Sequence, residues 1–171
     1  MKARMSALGL MIALLVMPKS EAGLAAQTRP PAGSIQACDL LSNAEVEKVT
    51  GRPSRKSPSR LSDDGSTQSY CGFRDAAVRV TLFSKMSAAQ KHVYQELEVG
   101  GFDKEKHAVA GVGDSAAMYF MAKGKDPAGF MVIHAGTRTL TIGVRGDQGQ
   151  PSESVQPFAV GLAKIALAKL D

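Results

Sequence analysis

The sequence contains no tryptophan, and it has only three tyrosines and six phenylalanines in 171 residues. Proteins that bind bases or sugars by stacking need exposed aromatic rings, and few are available here. A large excess of one charge is also missing, because 21 lysines and arginines are offset by 16 aspartates and glutamates, which leaves a net charge of +5. We therefore expect no nucleic-acid partner.

Long hydrophobic runs are missing too. The uncharged apolar stretch at residues 7–17 has 11 residues, whereas a helix needs about 20 to cross the hydrocarbon core of a membrane. The length gives room for one domain, and 44% hydrophobic with 22% charged residues is the composition of a globular protein. These properties exclude a multidomain enzyme and a polytopic membrane protein.

The N-terminal residues have the three parts of a secretory signal peptide. Lys2 and Arg4 form a positive n-region, residues 7–17 form the apolar core, and Pro18 ends it. A signal anchor that stays in the membrane is the alternative, but the apolar core is short and charge follows it at once. We therefore predict a signal peptide at residues 1–22 and a periplasmic or secreted protein.

Small residues near the end of the predicted signal peptide indicate where it is cleaved. Ser20 and Ala22 take the −3 and −1 positions of a site after Ala22, and cleavage after Ala26 is the alternative. Residues 23–35 are rich in small residues and proline, which predicts a flexible lead-in. Residues 36–171 are predicted to form a single domain, with no transmembrane segment left after cleavage.

The sequence has only two cysteines, Cys38 and Cys71. In an exported chain they can form one intramolecular disulfide, which oxidising compartments favour. Metal-binding or catalytic thiols are the alternative, but no CxxC motif and no nearby histidine supports them. A lipid-attachment box at Cys38 is a poor match, because Gln36 fits it badly and the apolar core lies far upstream. We predict a Cys38–Cys71 disulfide without a lipid anchor, and we expect no metal and no cofactor.

Several segments alternate between apolar and polar residues with the period of a β-strand. They are residues 69–74, 76–84, 107–110, 116–122, 129–135 and 138–145. Short turns separate most of them, and short turns join antiparallel strands. We therefore expect an antiparallel sheet of about five to six strands.

Three segments have the signals of helices. A capping box at Ser42 and Glu45 begins the first helix. A second is predicted at residues 87–99, and a third follows a cap at Ser152 or Ser154. Two or three helices packed mainly on one face of the sheet make an α+β domain.

Residues 52–68 form a long polar segment, for which we predict a loop. It contains four basic residues: Arg52, Arg55, Lys56 and Arg60. A predicted hairpin loop adds Lys123 and Lys125. These charges suit an anionic contact with a phosphate, a lipid headgroup or an acidic protein face, and they are the candidate binding surface. A solvated loop tethered by the disulfide is the alternative, because no aromatic residue lies between the charges.

Catalytic motifs are missing from the sequence. The three histidines, His92, His107 and His134, have no metal-ligand spacing among themselves or with the cysteines. A GxSxG nucleophile elbow is also missing. The sequence therefore predicts a protein that is not an enzyme.

A turn is predicted around Gly111, Gly113 and Asp114. The two glycines permit a sharp change of backbone direction, and the Asp114 carboxylate can cap the turn. A place for Asp114 in a ligand pocket is the alternative.

Several of these features occur together in a known family. They are Ala37-Cys38-Asp39-Leu40-Leu41 with Glu45 and Val46, Gly51, Cys71-Gly72-Phe73, the turn at 111–116, the strand at 140–144 and the alanine-rich terminal helix. From about residue 36 to 170 the sequence resembles the small exported proteins and lipoproteins of bacteria, abundant in actinobacteria, that share a domain of unknown function. The resemblance implies an α+β fold of the Mog1/PsbP type, and no catalytic residues carry over from it.

We therefore expect an exported, non-catalytic binding or accessory domain whose partner is an envelope or secreted protein, or a small ligand. An inhibitor or immunity protein of a secreted enzyme is one alternative. The other is a hydrolase with an unfamiliar site that uses Asp114 with His107 or His134. The hydrolase hypothesis requires these side chains to converge in one cleft.

Overall fold

The computed structural model describes residues 35–57, 60–61, 68–84, 102, 105–121 and 126–170. Four predicted features lie outside the described residues: the signal peptide, the lead-in up to residue 34, the helix at 87–99, and the lysines Lys123 and Lys125. Of residues 60–61, only the backbone is described.

The described residues form one antiparallel sheet of eight strands. In chain order these are β1 (Arg55–Lys56), β2 (Arg60–Leu61), β3 (Gln68–Arg74), β4 (Val78–Phe83), β5 (His107–Ala108), β6 (Ser115–Phe120), β7 (Ala128–Ala135) and β8 (Arg138–Arg145). Their order across the sheet is β1-β3-β4-β8-β7-β6-β5, and β2 also pairs with β3. Because β1 and β2 both lie along the same edge of β3, the sheet is seven strands wide.

The described helices pack against one face of this sheet, which we call the first face. Helix α1 (Ala37–Leu40) contacts β3 and β4, and α2 (Asn43–Thr50) packs on α3 (Gln156–Leu167). Helix α3 follows a 3-10 turn at Ser152–Val155 and contacts β7 and β8. Within the described ranges, no helix is long and apolar enough to cross a membrane.

The core lies between the helices and the first face. Alternation along the central strands brings Val80, Ile142 and Met131 to this face, where all three are fully buried. Helix α3 covers them with Leu162 and Ala166. Burial of each large apolar side chain contributes about 1.5–3 kcal/mol, and a register shift by one residue would move the whole set to the opposite face, away from the helices. The core therefore fixes which residues lie on the opposite face.

The predicted disulfide is confirmed. It joins Cys38 on α1 to Cys71 on β3, with Cα atoms 5.0 Å apart, within the range that such bonds require. The carbonyl oxygen of Ser57 contacts the two sulfurs at 3.2 Å and 3.5 Å. The bond fastens α1 to the sheet beside the edge that β1 and β2 cover, and a disulfide is consistent with an oxidising compartment.

The α+β fold is confirmed, with a wider sheet than the sequence predicts. The prediction of an uninterrupted loop at 52–68 is wrong, because Arg55 pairs with Arg74, and Arg60 pairs with Tyr70. These two-residue strands are held by their neighbour β3 and have too few residues to show a period in the sequence.

The two predicted helix starts have different outcomes. The capping box of α2 is confirmed, since the Glu45 N–H donates to Ser42 Oγ and the Ser42 N–H donates to Glu45 Oε2 at 2.7 Å. The predicted serine cap of the last helix is wrong, because α3 begins after Val155 and has no side-chain cap. A 3-10 turn leads into α3 instead, and Pro157 stands in its first turn, where an N–H is not needed.

Candidate functional site

The side of the sheet opposite the described helices, which we call the second face, carries polar residues in its central strands. Arg79 and Thr81 point there from β4, and Thr141 and Arg145 point there from β8. Thr81 lies directly opposite Thr141, and each residue is 1% exposed. The central strands therefore place two arginines and two threonines on the same face of the sheet.

A partly open cavity of about 460 Å³ lies on the second face, and we call it the arginine cavity. Its polar lining consists of Arg79, Thr81, Thr141 and Arg145. Its apolar lining includes Phe102, Met121, Ala128 and Phe130. Small-molecule sites in proteins usually have volumes of about 300–1,000 Å³ and combine an apolar wall with a few polar groups.

Gly143 provides the space at the centre of this cavity. It lies on β8 directly between Arg79 of β4 and Phe130 of β7. A Cβ atom at this position would be 3.8 Å from a Phe130 ring carbon and 4.0 Å from the Arg79 Cβ, both ordinary contact distances. The backbone here does not require glycine, because its φ is not in the left-handed region. The missing side chain therefore opens the cavity without relieving any strain.

The positive charge of Arg52 is neutralised beside the cavity. Its Nη2 lies 2.8 Å from Asp147 Oδ1, and its Nη1 donates to the carbonyl oxygen of Arg145 at 2.6 Å. Arg52 therefore holds the end of β8 and the chain that follows it. The arginine cavity itself contains two guanidinium groups and no acidic side chain among its described lining residues.

Aromatic groups surround the two sides of the cavity. The Arg79 guanidinium lies 5.3 Å from the centre of the Tyr70 ring, a cation–π distance. On the other side, the rings of Phe102 and Phe130 are 6.0 Å apart. Tyr119 lies directly opposite Phe130, and burial raises the pKa of its hydroxyl. The Phe102 and Phe130 rings thus lie on the β7 side, and Arg79 with the Tyr70 ring lies on the β4 side.

Of the basic residues predicted as a binding surface, Arg55, Lys56 and Arg60 belong to strands along one edge of β3, and Arg52 contacts the end of β8. Lys56 donates from Nζ to the carbonyl oxygen of Cys38 at 2.6 Å, beside the disulfide. The Arg52 side chain contacts the end of β8. Arg55 is exposed on β1, opposite Arg74 of β3. Arg60 is on β2, where only the backbone is described. Lys56 and Arg52 thus stabilise the surrounding structure through hydrogen bonds to backbone carbonyl groups.

The segment at Gly111, Gly113 and Asp114 has the geometry of a turn. The two glycines have positive φ angles of 71° and 58°. The Asp114 N–H donates to the His134 carbonyl oxygen at 2.8 Å, and Asp114 Oδ2 accepts from the Gly136 N–H at 2.7 Å. The Asp114 carboxylate therefore caps the turn between β7 and β8, and Asp114 does not line the arginine cavity.

His107 and His134 lie on opposite faces of the sheet. His107 pairs with the core residue Met118, and its ring is 5.0 Å from that of Phe120. His134 lies on the second face, where its Nδ1 is 3.2 Å from Thr139 Oγ1. The two histidines therefore cannot act in one site. In the part of the chain that the structure describes, no three His, Cys, Asp or Glu side chains could together hold a metal ion.

No model of a known protein family matches the chain, and no curated protein matches its sequence. The resemblance to the small exported bacterial proteins therefore stays a prediction.

The cavity residues were not among the candidate residues of the sequence. The pattern of β4 indicates that Arg79 and Thr81 share a face, and the pattern of β8 indicates the same for Thr141 and Arg145. The useful signal is that both strands carry threonine and arginine on the face away from the core. That signal becomes a site only when β4 and β8 are known to be neighbours.

Proposed function

We propose that the protein is an exported, non-catalytic binding protein that holds a small ligand in the arginine cavity. One observation carries this proposal: Gly143 leaves a space between Arg79 and Phe130 at the centre of the sheet. The strands that frame this space are rigid elements, on which binding groups keep their geometry better than on loops.

The chemistry of the lining favours binding over catalysis. Guanidinium and hydroxyl groups bind through hydrogen bonds, and a guanidinium does not exchange protons near neutral pH. The lining combines a few polar groups with apolar and aromatic side chains, as is typical of sites that orient a small molecule.

The exported location has two supports. The Cys38–Cys71 disulfide is consistent with an oxidising compartment. The charge and apolar pattern of residues 1–22 is that of a signal peptide. We propose the periplasm or the exterior of the cell as the location, and the membership of the small exported bacterial family belongs to the same proposal.

The proposal can be tested with the exported form of the protein. It is incubated with the small-molecule fraction of a culture of its own host and washed, and retained compounds are identified by mass spectrometry. A Gly143→Val variant, whose side chain projects into the cavity between Arg79 and Phe130, is treated in parallel.

We expect the native protein to retain a compound that Gly143→Val does not, and to release it chemically unchanged. Equal retention by the variant would overturn the assignment of the site. Conversion of the compound into a product would overturn the non-catalytic function. A parallel incubation with the protein extract of the same host tests the accessory or inhibitor alternative, which one stoichiometric protein partner bound equally by both forms would favour.

A further inference from the structure

We infer that the ligand is a small organic anion, with an oxyanion head bound by Arg79 and Arg145 and an apolar body that crosses Gly143 towards Phe130. This inference rests on the proposed function and names the chemical class of its ligand. Carboxylates and phosphate esters share the required chemistry, because a guanidinium binds either one with two parallel hydrogen bonds.

The register of β4 and β8 brings the two arginines together. Arg79 lies directly opposite Gly143, and Arg145 is two residues further along β8 on the same face. Residues in this diagonal relation have Cα atoms roughly 7–8 Å apart, within reach of long side chains. Two long side chains whose Cα atoms have this separation can both reach the same oxyanion.

The charge of the free cavity also favours an anion. The described lining contains two positive side chains and no negative one, and the nearby Asp147 is already paired with Arg52. Like charges held close together on a protein repel each other, and an opposite charge between them removes that repulsion. An anionic ligand therefore gains energy from both arginines, whereas a cationic ligand is repelled by them.

The apolar body follows from the opposite wall. Phe130 is the cross-strand neighbour of Gly143 on the side away from Arg79, and the Phe102 ring lies 6.0 Å from it. A molecule with its head at Arg79 must pass over Gly143 to fill the cavity, and it then meets these rings. A bare inorganic anion would leave this apolar wall in contact with water.

Octanoate is a suitable probe because it combines a carboxylate head with an apolar chain. Binding is followed by titration of the isotopically labelled protein, with the amide signals of Thr81, Thr141 and Gly143 as reporters. Octyl phosphate, octan-1-ol, octylammonium and acetate serve as comparisons that change the head or remove the body.

We expect octanoate or octyl phosphate to shift these three signals and to bind at least tenfold more tightly than octan-1-ol, octylammonium or acetate. The tighter of the two anions identifies the preferred head. If the uncharged or cationic probe binds as tightly as the anions, the inferred ligand class is wrong.

Three variants separate the contributions of charge and space. We expect Arg79→Gln and Arg145→Gln each to weaken binding about tenfold or more, because each removes a charge-assisted contact while keeping a long polar side chain. Gly143→Val should abolish binding, and Gly143→Ala repeats the test with a smaller change if the valine variant does not fold. Arg55→Gln is the matched control, since it removes one positive charge from β1 and should leave affinity unchanged.

The failure of this inference differs from the failure of the proposed function. One outcome is that Gly143→Val blocks retention of the host compound while anionic and neutral probes bind the native protein equally well. In that case the arginine cavity is still the binding site, but the inference that its ligand is an anion is overturned. If retention does not depend on Gly143, the proposed function itself fails. A loss of octanoate affinity in Arg55→Gln as large as in Arg79→Gln would show a general charge effect and would also overturn the inference.

Discussion

Two neighbouring glycines are needed for different physical reasons. Gly111 and Gly113 both have a positive φ, which costs a residue with a Cβ about 1–3 kcal/mol. Only Gly113 also lies against another strand, since a Cβ there would be 2.6 Å from the His134 carbonyl oxygen and 2.9 Å from Ile133 Cγ2. At Gly111 nothing lies within 4 Å of that position.

We therefore expect Gly113→Ala to destabilise the protein clearly more than Gly111→Ala. The Gly111 variant should show only the conformational cost of about 1 kcal/mol. The Gly113 variant must in addition push β6 away from β7. Urea denaturation of both variants measures the difference in unfolding free energy, and equal losses would show that backbone conformation alone decides both positions.

Glu45 makes the unfolding free energy of the protein depend on pH in the acid range. Its carboxylate accepts hydrogen bonds from Lys169 Nζ at 2.8 Å and from the Ser42 N–H at 2.7 Å. These contacts, with that of Lys169 the largest, lower the pKa of Glu45 from 4.5 to about 2, although burial opposes them. The folded state thus binds a proton more weakly than the unfolded state. The stabilisation is complete above pH 4.5 and is lost as the pH falls towards 2.

We expect Glu45→Gln to be less stable than the native protein at pH 7 and to approach it in stability as the pH falls from 4.5 to 2. Unfolding free energies measured at a series of pH values test this expectation. Glu153→Gln is a suitable control, because this exposed residue lies in the 3-10 turn, away from α2. Parallel pH profiles for Glu45→Gln and the native protein would contradict the prediction.

At the scale of elements, the disulfide decides how firmly α1 is held on the sheet. It closes a segment of 33 residues that includes α2, β1 and β2. The entropy of the unfolded chain predicts that a cross-link of this length contributes about 3.7 kcal/mol.

We expect the double variant Cys38→Ala with Cys71→Ala to lose about 3 kcal/mol of unfolding free energy, most of it through the unfolded state. Denaturation of the native protein with and without a reductant provides a second measurement of the same quantity. If the double variant is as stable as the native protein, the bond has no structural role.

The elements differ in how far the sequence predicts them. The capping box of α2 is predictable because Ser42 and Glu45 are three residues apart and interact within one helical turn. The disulfide is predictable because a chain with two cysteines has only one internal pairing. The edge strands β1 and β2 are not predictable, since only β3 gives them a partner.

The arginine cavity lies beyond the reach of local patterns for a similar reason. Arg79 and Arg145 are far apart in the chain, and only the pairing of β4 with β8 brings them together. Charge density along the sequence instead indicated Arg52 and Lys56. The structure shows both side chains donating to backbone carbonyl groups.

At the scale of the whole molecule, the last residues connect three separate parts. Leu170 is 8% exposed and belongs to the core, and its carbonyl oxygen accepts a hydrogen bond from Arg138 at the start of β8. Lys169 binds Glu45 on α2. The end of the chain thus joins α2, α3 and the sheet.

We expect Leu170→Ala to lower the unfolding free energy by about 2–3 kcal/mol. This loss is at the lower end of the range for buried Leu→Ala substitutions, because Leu170 lies near the surface. Lys164→Ala, an exposed change on α3, should cost less than about 0.5 kcal/mol. Thermal or urea unfolding compares the two. A similar loss in both variants would show that the end of the chain does not contribute to the core.

The pairing of β4 with β8 has a consequence for how the chain assembles. The β3–β4 hairpin and the β6–β7–β8 meander can each form from nearby residues, whereas Val78 must find Val144 across a long stretch of chain. Arg79 belongs to the first unit, and Arg145 and Phe130 belong to the second. If an anion binds as inferred, it stabilises the association of these two units, because it contacts residues of both.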